Sequence, residues 1–212
     1  MRPNGLKARE EAPPRLRGFD TIHRFWDSLD RHWVSQVLPG QFYVTRSVEV
    51  IATTLGSCVS TCVRDPVAGV GGLNHFMLPS DPGQETSGGA LRYGNFAVER
   101  LINDLLKHGA RRERLEVKIF GGGRVIAGMG DIGRSNVEFV REYFETEQMD
   151  IVAEDVGGNV ARRVRYYPET GKVRVKRMRT EEAETVEVVR SENRLRTRLS
   201  VAPPPPGAVE LF

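Results

Sequence analysis

Two residues that could carry out nucleophilic catalysis stand close together in one apolar stretch of the chain. Cys58 follows Gly56 and Ser57, and His75 lies seventeen residues later in the next apolar run. A cysteine attacks as its thiolate, and a thiol with a pKa of about 8.5 is only a few per cent ionised at neutral pH. A neighbouring histidine can take the proton and later protonate a leaving amine. The pair therefore indicates a thiol nucleophile with an imidazole base.

The residues beside this pair could position a substrate. Gly56 lets the backbone turn tightly before Cys58 and leaves room for a bound group. Backbone N–H groups near Ser57 and Cys58 could then bind an oxyanion. Asn74, next to His75, could orient a substrate amide, and a structural role for Asn74 is the alternative.

Cys58 also has a competing interpretation as a buried, inert side chain, which is how most free cysteines behave. We favour that interpretation for Cys62, because four residues along an extended strand would place the two sulfurs about 13 Å apart. The same separation disfavours zinc held by Cys58, Cys62 and His75, since a structural zinc site takes four ligands. A disulfide is disfavoured in a reducing compartment. We therefore expect no metal site.

Composition and motifs argue against several other classes of protein. The 31 basic residues nearly balance the 28 acidic ones, and no basic motif interleaved with aromatic residues suggests a nucleic-acid partner. No apolar run approaches the roughly 20 residues of a membrane span, and residues 1–17 lack the apolar core of a signal peptide. Residues 121–123 are glycines without the Lys-Ser/Thr pair of a phosphate-binding loop. We expect a cytoplasmic protein without membrane insertion.

A β-hairpin is the element that would bring the cysteine and the histidine together. Residues 59–63 and 70–78 are apolar and strand-like, and Asp65-Pro66 breaks the pattern between them. In such a hairpin the start of the first strand lies beside the end of the second. Cys58 and His75 stand at those two positions.

The remaining pattern predicts both strands and helices around this hairpin. Apolar residues at spacings of three and four predict helices, and alternating β-formers predict strands. The predicted helices are 19–37, 95–108 and 135–148, and the further strands are 41–48, 49–54, 115–120, 150–156, 160–167 and 172–178. The fold class is therefore α/β, more strictly α+β.

The domain organisation follows from composition. Residues 1–18 are rich in Pro, Arg, Lys and Glu, and we expect them to be disordered. Residues 19–179 form one folded domain. Residues 180–212, with a nearly all-charged stretch and a polyproline run, are predicted to be a second disordered tail. The polar stretch 80–91 is predicted to be a mobile loop at the rim of the site.

The stretch from Leu55 to Pro79, LGSCVSTCVRDPVAGVGGLNHFMLP, resembles the signature of the CheD family, the chemoreceptor glutamine deamidases. Shorter matching pieces appear in order before and after it. They are LPGQFYVT from residue 38, RYG from 92, KIFGGG from 118, IGRSN from 132 and DVGG from 155. The resemblance covers about residues 26–178, which is most of the predicted folded domain.

This resemblance implies a function, a fold and partners. Members hydrolyse selected glutamine side chains of methyl-accepting chemoreceptors to glutamate and ammonia, without a cofactor, and some bind a CheC-type phosphatase. It implies a β-sandwich-like core with flanking helices, similar to bacterial toxin deamidases. It assigns Cys58 as the nucleophile and His75 as the base. The alternative is a non-catalytic chemotaxis adaptor that binds the phosphatase or the receptor.

The third catalytic residue of the family is a threonine before the cysteine. Aligned without gaps on Cys58, its position falls on Ala52, and Thr53 and Thr54 follow. The resemblance therefore offers Thr53, or else Thr54, for the role of orienting the histidine.

Overall fold

The computed structural model of the protein describes residues 11–78, 88–125, 132–179 and 182–201. In these residues, ten strands form two five-stranded sheets, and three α-helices accompany them. This arrangement confirms the predicted α+β fold with a sheet core and flanking helices. The strands are β1 (His23–Asp27), β2 (His32–Gln36), β3 (Phe42–Thr45), β4 (Val50–Leu55), β5 (Val59–Asp65), β6 (Val70–Asn74), β7 (Glu116–Gly121), β8 (Ile151–Val156), β9 (Ala161–Tyr167) and β10 (Lys172–Met178). The helices are α1 (Gly88–Lys107), α2 (Ile132–Thr146) and α3 (Ala183–Val201).

Both sheets are mixed, and one continuous hydrophobic core joins them. The first sheet has the order β1-β2-β4-β9-β10 and the second the order β3-β6-β5-β7-β8. The β2–β4 and β7–β8 pairs are parallel, and the other pairs are antiparallel. Ile51 and Val164 of the first sheet share the core with Leu73 and Ile119 of the second. Strands rich in β-branched and aromatic residues are suited to such buried positions.

The β5–β6 hairpin has the predicted arrangement. Its register pairs Cys62 with Leu73, and a bridge between Val59 and Phe76 continues it beyond β6. The first residue after the Gly-Ser-Cys corner therefore lies beside the residue after His75. The hairpin thus brings the two candidate catalytic residues into one region of the core.

Asp65 organises the turn of this hairpin. Its Oδ1 accepts hydrogen bonds from the N–H groups of Val67 and Ala68, and its Oδ2 accepts from Arg111 N–H and the Arg114 guanidinium. Burial raises the pKa of this carboxyl, but the bonds from Arg114 and the backbone outweigh it and lower the pKa to about 2.

We expect Asp65→Asn to lower the free energy of unfolding by about 2–3 kcal/mol at pH 7, because the amide puts a donor where Arg114 needs an acceptor. The lowered pKa stabilises the wild type above pH 3.8, its ordinary value. That contribution, about 2 kcal/mol, is lost as the pH falls towards 2. Urea unfolding at pH 7 and pH 3 should therefore show a smaller difference between the two proteins at pH 3. An equal difference in the free energy of unfolding at the two pH values would contradict the role assigned to the Asp65 carboxylate.

The predicted helix over residues 19–37 is wrong, because this segment forms the β1–β2 hairpin. Trp26 pairs with Trp33 and Phe25 with Val34 across it. Leu29 lies in the connecting turn and is 96% exposed, so the helical spacing of apolar residues included one that is not buried. Aromatic and β-branched side chains gain more from cross-strand pairing here than from a helix.

Part of the N-terminal segment predicted to be disordered packs on the domain. The Arg15 guanidinium donates to the Ile22 carbonyl at 2.8 Å, and Arg24 donates to the Pro13 carbonyl at 2.6 Å. The Ser47 hydroxyl donates to the Pro14 carbonyl at 2.9 Å. These bonds dock residues 13–15 on the domain, since two of them satisfy carbonyl groups of the segment and the third uses its Arg15 side chain.

The larger correction concerns the predicted disordered tail, since residues 183–201 form helix α3. One face of this helix is buried at spacings of three and four, formed by Thr185, Val188, Glu192 and Leu195. Composition alone predicted disorder because charged residues dominate the segment. Only four buried positions are needed to dock the helix, and one of them is itself a charged residue.

Two smaller differences concern the other helices. Helix α1 begins at Gly88, earlier than the predicted residue 95, and α2 begins at Ile132 rather than at residue 135. Residues 80–87 of the predicted rim loop lie outside the described residues, as do residues 202–212. Within the described part of the chain, no helix is long and apolar enough to cross a membrane.

Candidate active site

The corner that carries Cys58 lies between β4 and β5 and is held by the three-glycine run. Gly122 N–H donates to the Cys58 carbonyl at 2.8 Å, and Gly123 N–H donates to the Gly56 carbonyl at 2.7 Å. Gly121 has φ +106°, and a Cβ there would lie 2.3 Å from the Cys58 carbonyl oxygen. The glycines are therefore required for close backbone approach.

Helix α2 fixes the same corner through a buried amide. Asn136 Nδ2 donates to the Ser57 carbonyl at 2.9 Å, while its Oδ1 accepts from Leu78 N–H at 2.8 Å. Asn136 is fully buried. In the sequence this residue stands out only as the last position of the IGRSN motif, and nothing local there indicates a contact with the corner. Asn136 holds the peptide before Cys58, so it acts as a support for the corner.

His75 is oriented by Thr53. The Thr53 hydroxyl donates to the Val37 carbonyl at 2.8 Å and lies 2.8 Å from His75 Nδ1. Because the hydroxyl hydrogen is used at Val37, the hydroxyl oxygen accepts from Nδ1–H. This tautomer leaves Nε2 of the neutral ring as the basic nitrogen. The Thr54 side chain points to the opposite face of β4 by strand alternation, so it is Thr53 that contacts the imidazole.

The backbone of His75 is also fixed, by the turn before β3. His75 N–H donates to the Gln41 carbonyl at 2.9 Å, and its own carbonyl accepts from Gly40 N–H at 2.8 Å. Cys58 and His75 are both buried, and their sulfur and a ring nitrogen lie within 4.8 Å of each other and of a Glu192 oxygen. Among the described residues His75 Nε2 has no hydrogen-bond partner. Glu192 Oε1 lies 3.8 Å from this nitrogen.

Glu192 of α3 occupies the backbone donors of the corner. Its Oε1 accepts from Gly56 N–H at 2.7 Å and from Cys58 N–H at 3.1 Å. Its Oε2 accepts from Ser57 N–H at 2.7 Å and from the Ser57 hydroxyl at 2.8 Å. Three successive N–H groups thus converge on one buried carboxylate. We call these three groups the donor nest; such concavities bind anions.

Burial and the neighbouring charges shift two pKa values in this cluster in opposite directions. Burial, followed by the charge and the hydrogen bonding of Glu192, raises the pKa of the Cys58 thiol well above its ordinary value. Burial alone would also raise the pKa of Glu192, but the interactions with His75, the Gly56 N–H and Ser57 outweigh it and lower that pKa. With Glu192 in place, the thiol is therefore held in its protonated form.

Asn74, predicted to orient the substrate, and Cys62, predicted to be an inert core residue, form other contacts. Asn74 Oδ1 accepts from the N–H and hydroxyl of Thr61, and its Nδ2 donates to the Ala97 carbonyl. These bonds indicate a structural role for Asn74. Cys62 is buried in β5, where burial raises the pKa of its thiol.

A metal ion would have only three protein ligands here. Cys58, His75 and Glu192 are the one group of potential ligands that the described residues bring together, rather than the trio with Cys62 considered above. Both Glu192 oxygens already accept two hydrogen bonds each. The donor nest suits an anion. A cation bound to Glu192 would have to displace the N–H groups of the nest from the carboxylate oxygens.

Comparison with known proteins places the chain in a family. A profile described as "CheD chemotactic sensory transduction" matches residues 77–177, a span that begins just after His75. A protein of Halorhodospira halophila named "Probable chemoreceptor glutamine deamidase CheD" is 47% identical over 206 residues, covering 94% of both chains. A protein of Cupriavidus metallidurans with the same name is 50% identical over 210 residues, covering 94% of this chain and 93% of its own. A third protein with this name, from Hahella chejuensis, is 46% identical over 187 residues, covering 86% of this chain and 89% of its own. At this identity and coverage, the chain belongs to the CheD family.

Proposed function

We propose that the protein is a protein-glutamine glutaminase that hydrolyses selected glutamine side chains of methyl-accepting chemoreceptors to glutamate and ammonia. One observation carries the proposal: a cysteine and an oriented histidine share a buried site with a donor nest that binds two carboxylate oxygens. A site of that shape fits an amide carbonyl and its tetrahedral intermediate. The names of the relatives supply the receptor substrate.

The chemistry divides into two steps. In the first, His75 Nε2 takes the thiol proton and the Cys58 thiolate attacks the side-chain carbonyl carbon of the glutamine. The donor nest stabilises the oxyanion, and the imidazolium returns its proton to the departing ammonia. In the second, His75 activates a water molecule that hydrolyses the thioester and frees Cys58. Gly56 and Ser57 contribute through their N–H groups, and no cofactor takes part.

Thr53 acts in this scheme as a positioning residue. It accepts the Nδ1 hydrogen and so keeps Nε2 free to work as the base. A CheC-type phosphatase partner remains a prediction from the family resemblance, and a cytoplasmic location remains a prediction from the sequence. The alternative is an adaptor that binds the receptor or the phosphatase and catalyses no reaction. The geometry of the Cys58–His75 site favours the enzyme instead.

The test is to incubate a cytoplasmic receptor fragment with the full chain and to measure ammonia and peptide masses together. Each converted glutamine should release one ammonia and gain about 1 Da, as amide hydrolysis requires. The adaptor alternative predicts co-purification of the fragment with no change of mass. A fragment that neither binds nor changes would contradict both functions.

A further inference from the structure

Helix α3 is seated on the active site by one face. Val188 is buried with Ala161 and Met178, and Leu195 belongs to the main core, where it approaches Gly40. Glu192 stands between these two apolar residues, four positions after Val188 and three before Leu195. The helix therefore presents one acidic side chain to the donor nest between two apolar contacts.

The opposite face of α3 is solvated. Glu187 forms ion pairs with Arg190 and Arg194, and all three side chains are more than three-fifths exposed. An open cleft of about 1550 Å³ also runs beside the helix, lined on the domain side by residues that include Leu38, Gln41, Thr54 and Tyr93. Open space thus remains between α3 and the domain along the groove in which the helix lies.

Glu192 occupies the position that the reaction product would need. Hydrolysis of a glutamine side chain leaves a glutamate side chain, with its oxygens on the groups that stabilised the oxyanion. Both Glu192 oxygens are bound by those groups, and one lies within 4.8 Å of the Cys58 sulfur and a His75 nitrogen. A substrate carbonyl cannot use the donor nest while Glu192 fills it.

A catalytic role for Glu192 fits the geometry less well. A carboxylate that orients a histidine binds the nitrogen opposite the nucleophile, and Thr53 already occupies that nitrogen, Nδ1. Glu192 lies on the Nε2 side, where the base must meet the thiol. Its charge also contributes to raising the pKa of the thiol it would have to activate.

We propose that α3 is a tethered product analogue, which occupies the groove of the substrate helix and must leave before that helix can enter. This inference rests on the proposed deamidase function. It also specifies the substrate, which is an α-helix with a glutamine between two apolar side chains. The glutamine lies four residues after the first and three before the second, as Glu192 does between Val188 and Leu195. The resting chain is then autoinhibited by its own helix.

Replacing Glu192 with glutamine turns the analogue into a substrate within the same molecule. Cys58 Sγ would attack Cδ of Gln at position 192, the C–N bond would break, and ammonia would leave with the proton from His75. Water would then cleave the S–C bond, so that one water is consumed and one glutamate and one ammonia are formed. Peptide mapping of the purified full-length Glu192→Gln protein should therefore find glutamate at this position, about 1 Da above the encoded mass.

Two matched variants make this test specific. Glu192→Gln combined with Cys58→Ala should keep its glutamine, because the nucleophile is absent. Glu187→Gln, on the exposed face of the same helix, should keep its glutamine with Cys58 intact. A stable glutamine at 192 in a chain that still converts a receptor fragment would overturn the product-analogue proposal and leave the deamidase function standing. If neither the glutamine introduced by Glu192→Gln nor the receptor fragment is deamidated, the proposed deamidase function is overturned as well.

Displacement of the helix provides a second readout that needs no self-reaction. Glu192→Lys places a cation in the donor nest, and we expect α3 to be released. Receptor deamidation and iodoacetamide labelling of Cys58 should then each rise by about tenfold or more, as the open fraction increases. Glu187→Lys is the surface control and should leave both rates unchanged. A well-folded Glu192→Lys protein with lower activity would assign Glu192 a catalytic role and overturn the proposal.

Discussion

Replacing His75 with glutamine is expected to lower the rate of glutamine deamidation by a factor on the order of 10³, with Cys58 still in place. Glutamine can hydrogen-bond to Thr53, but it cannot take the thiol proton or protonate ammonia. The thiolate would then form only by simple ionisation, which burial disfavours. The residual rate should therefore rise steadily with pH. The measurement is ammonia release from a receptor fragment between pH 6 and 10.

His23→Gln is the matched control, since His23 is an exposed histidine of β1. It should keep the wild-type rate and pH profile. Thermal unfolding of both variants separates loss of chemistry from loss of fold. A folded His75→Gln protein that retains more than about a tenth of the wild-type rate would contradict the role of His75 as acid and base.

Thr53→Val is expected to lower kcat by about 100-fold, because a misplaced base loses that much reactivity. Valine has the shape of threonine and fits the buried strand, but it removes the acceptor for His75 Nδ1–H. The imidazole is then free to adopt the other tautomer, with its hydrogen on the side of Cys58. The pH profile of kcat should shift, which loss of packing alone would not cause.

Two neighbouring changes test whether the hydroxyl itself is responsible. Thr53→Ser keeps the hydroxyl and should restore most of kcat. Thr54→Val makes the same substitution one residue further along β4, where the side chain lines the cleft. It should therefore change at most KM and leave kcat unchanged. If Thr53→Val and Thr54→Val have equal effects, or if serine does not restore the rate, the positioning role of Thr53 is wrong.

The sequence was informative where the determinants of structure are local. Alternation and the Asp65-Pro66 turn predicted the β5–β6 hairpin, and the hairpin alone places Cys58 near His75. The N-terminal hairpin was missed because its apolar residues fit a helical spacing equally well. What distinguishes the two is the pairing of Trp26 with Trp33, which depends on a turn with Arg31 at φ 53°.

The site could be predicted only in part, because two of its residues come from distant parts of the chain. Asn136 reaches the corner from α2, 79 residues after Ser57 in the chain. Glu192 reaches it from 136 residues after Gly56. One available signal was missed: Val188, Glu192 and Leu195 recur at spacings of four and three within the charged segment. That period indicates a helix with one buried face, with a glutamate at its centre.

The Cys58 sulfur carries out the hydrolysis in the proposed mechanism, and the most direct test compares the two cysteines. A receptor fragment is incubated in H₂¹⁸O with wild type, Cys58→Ala or Cys62→Ala, and each glutamine is followed by mass spectrometry. Wild type and Cys62→Ala should add about 3 Da per converted site, since the ammonia nitrogen is replaced by one heavy oxygen. Cys58→Ala should leave every glutamine unchanged. Conversion at the wild-type rate by folded Cys58→Ala would contradict the account.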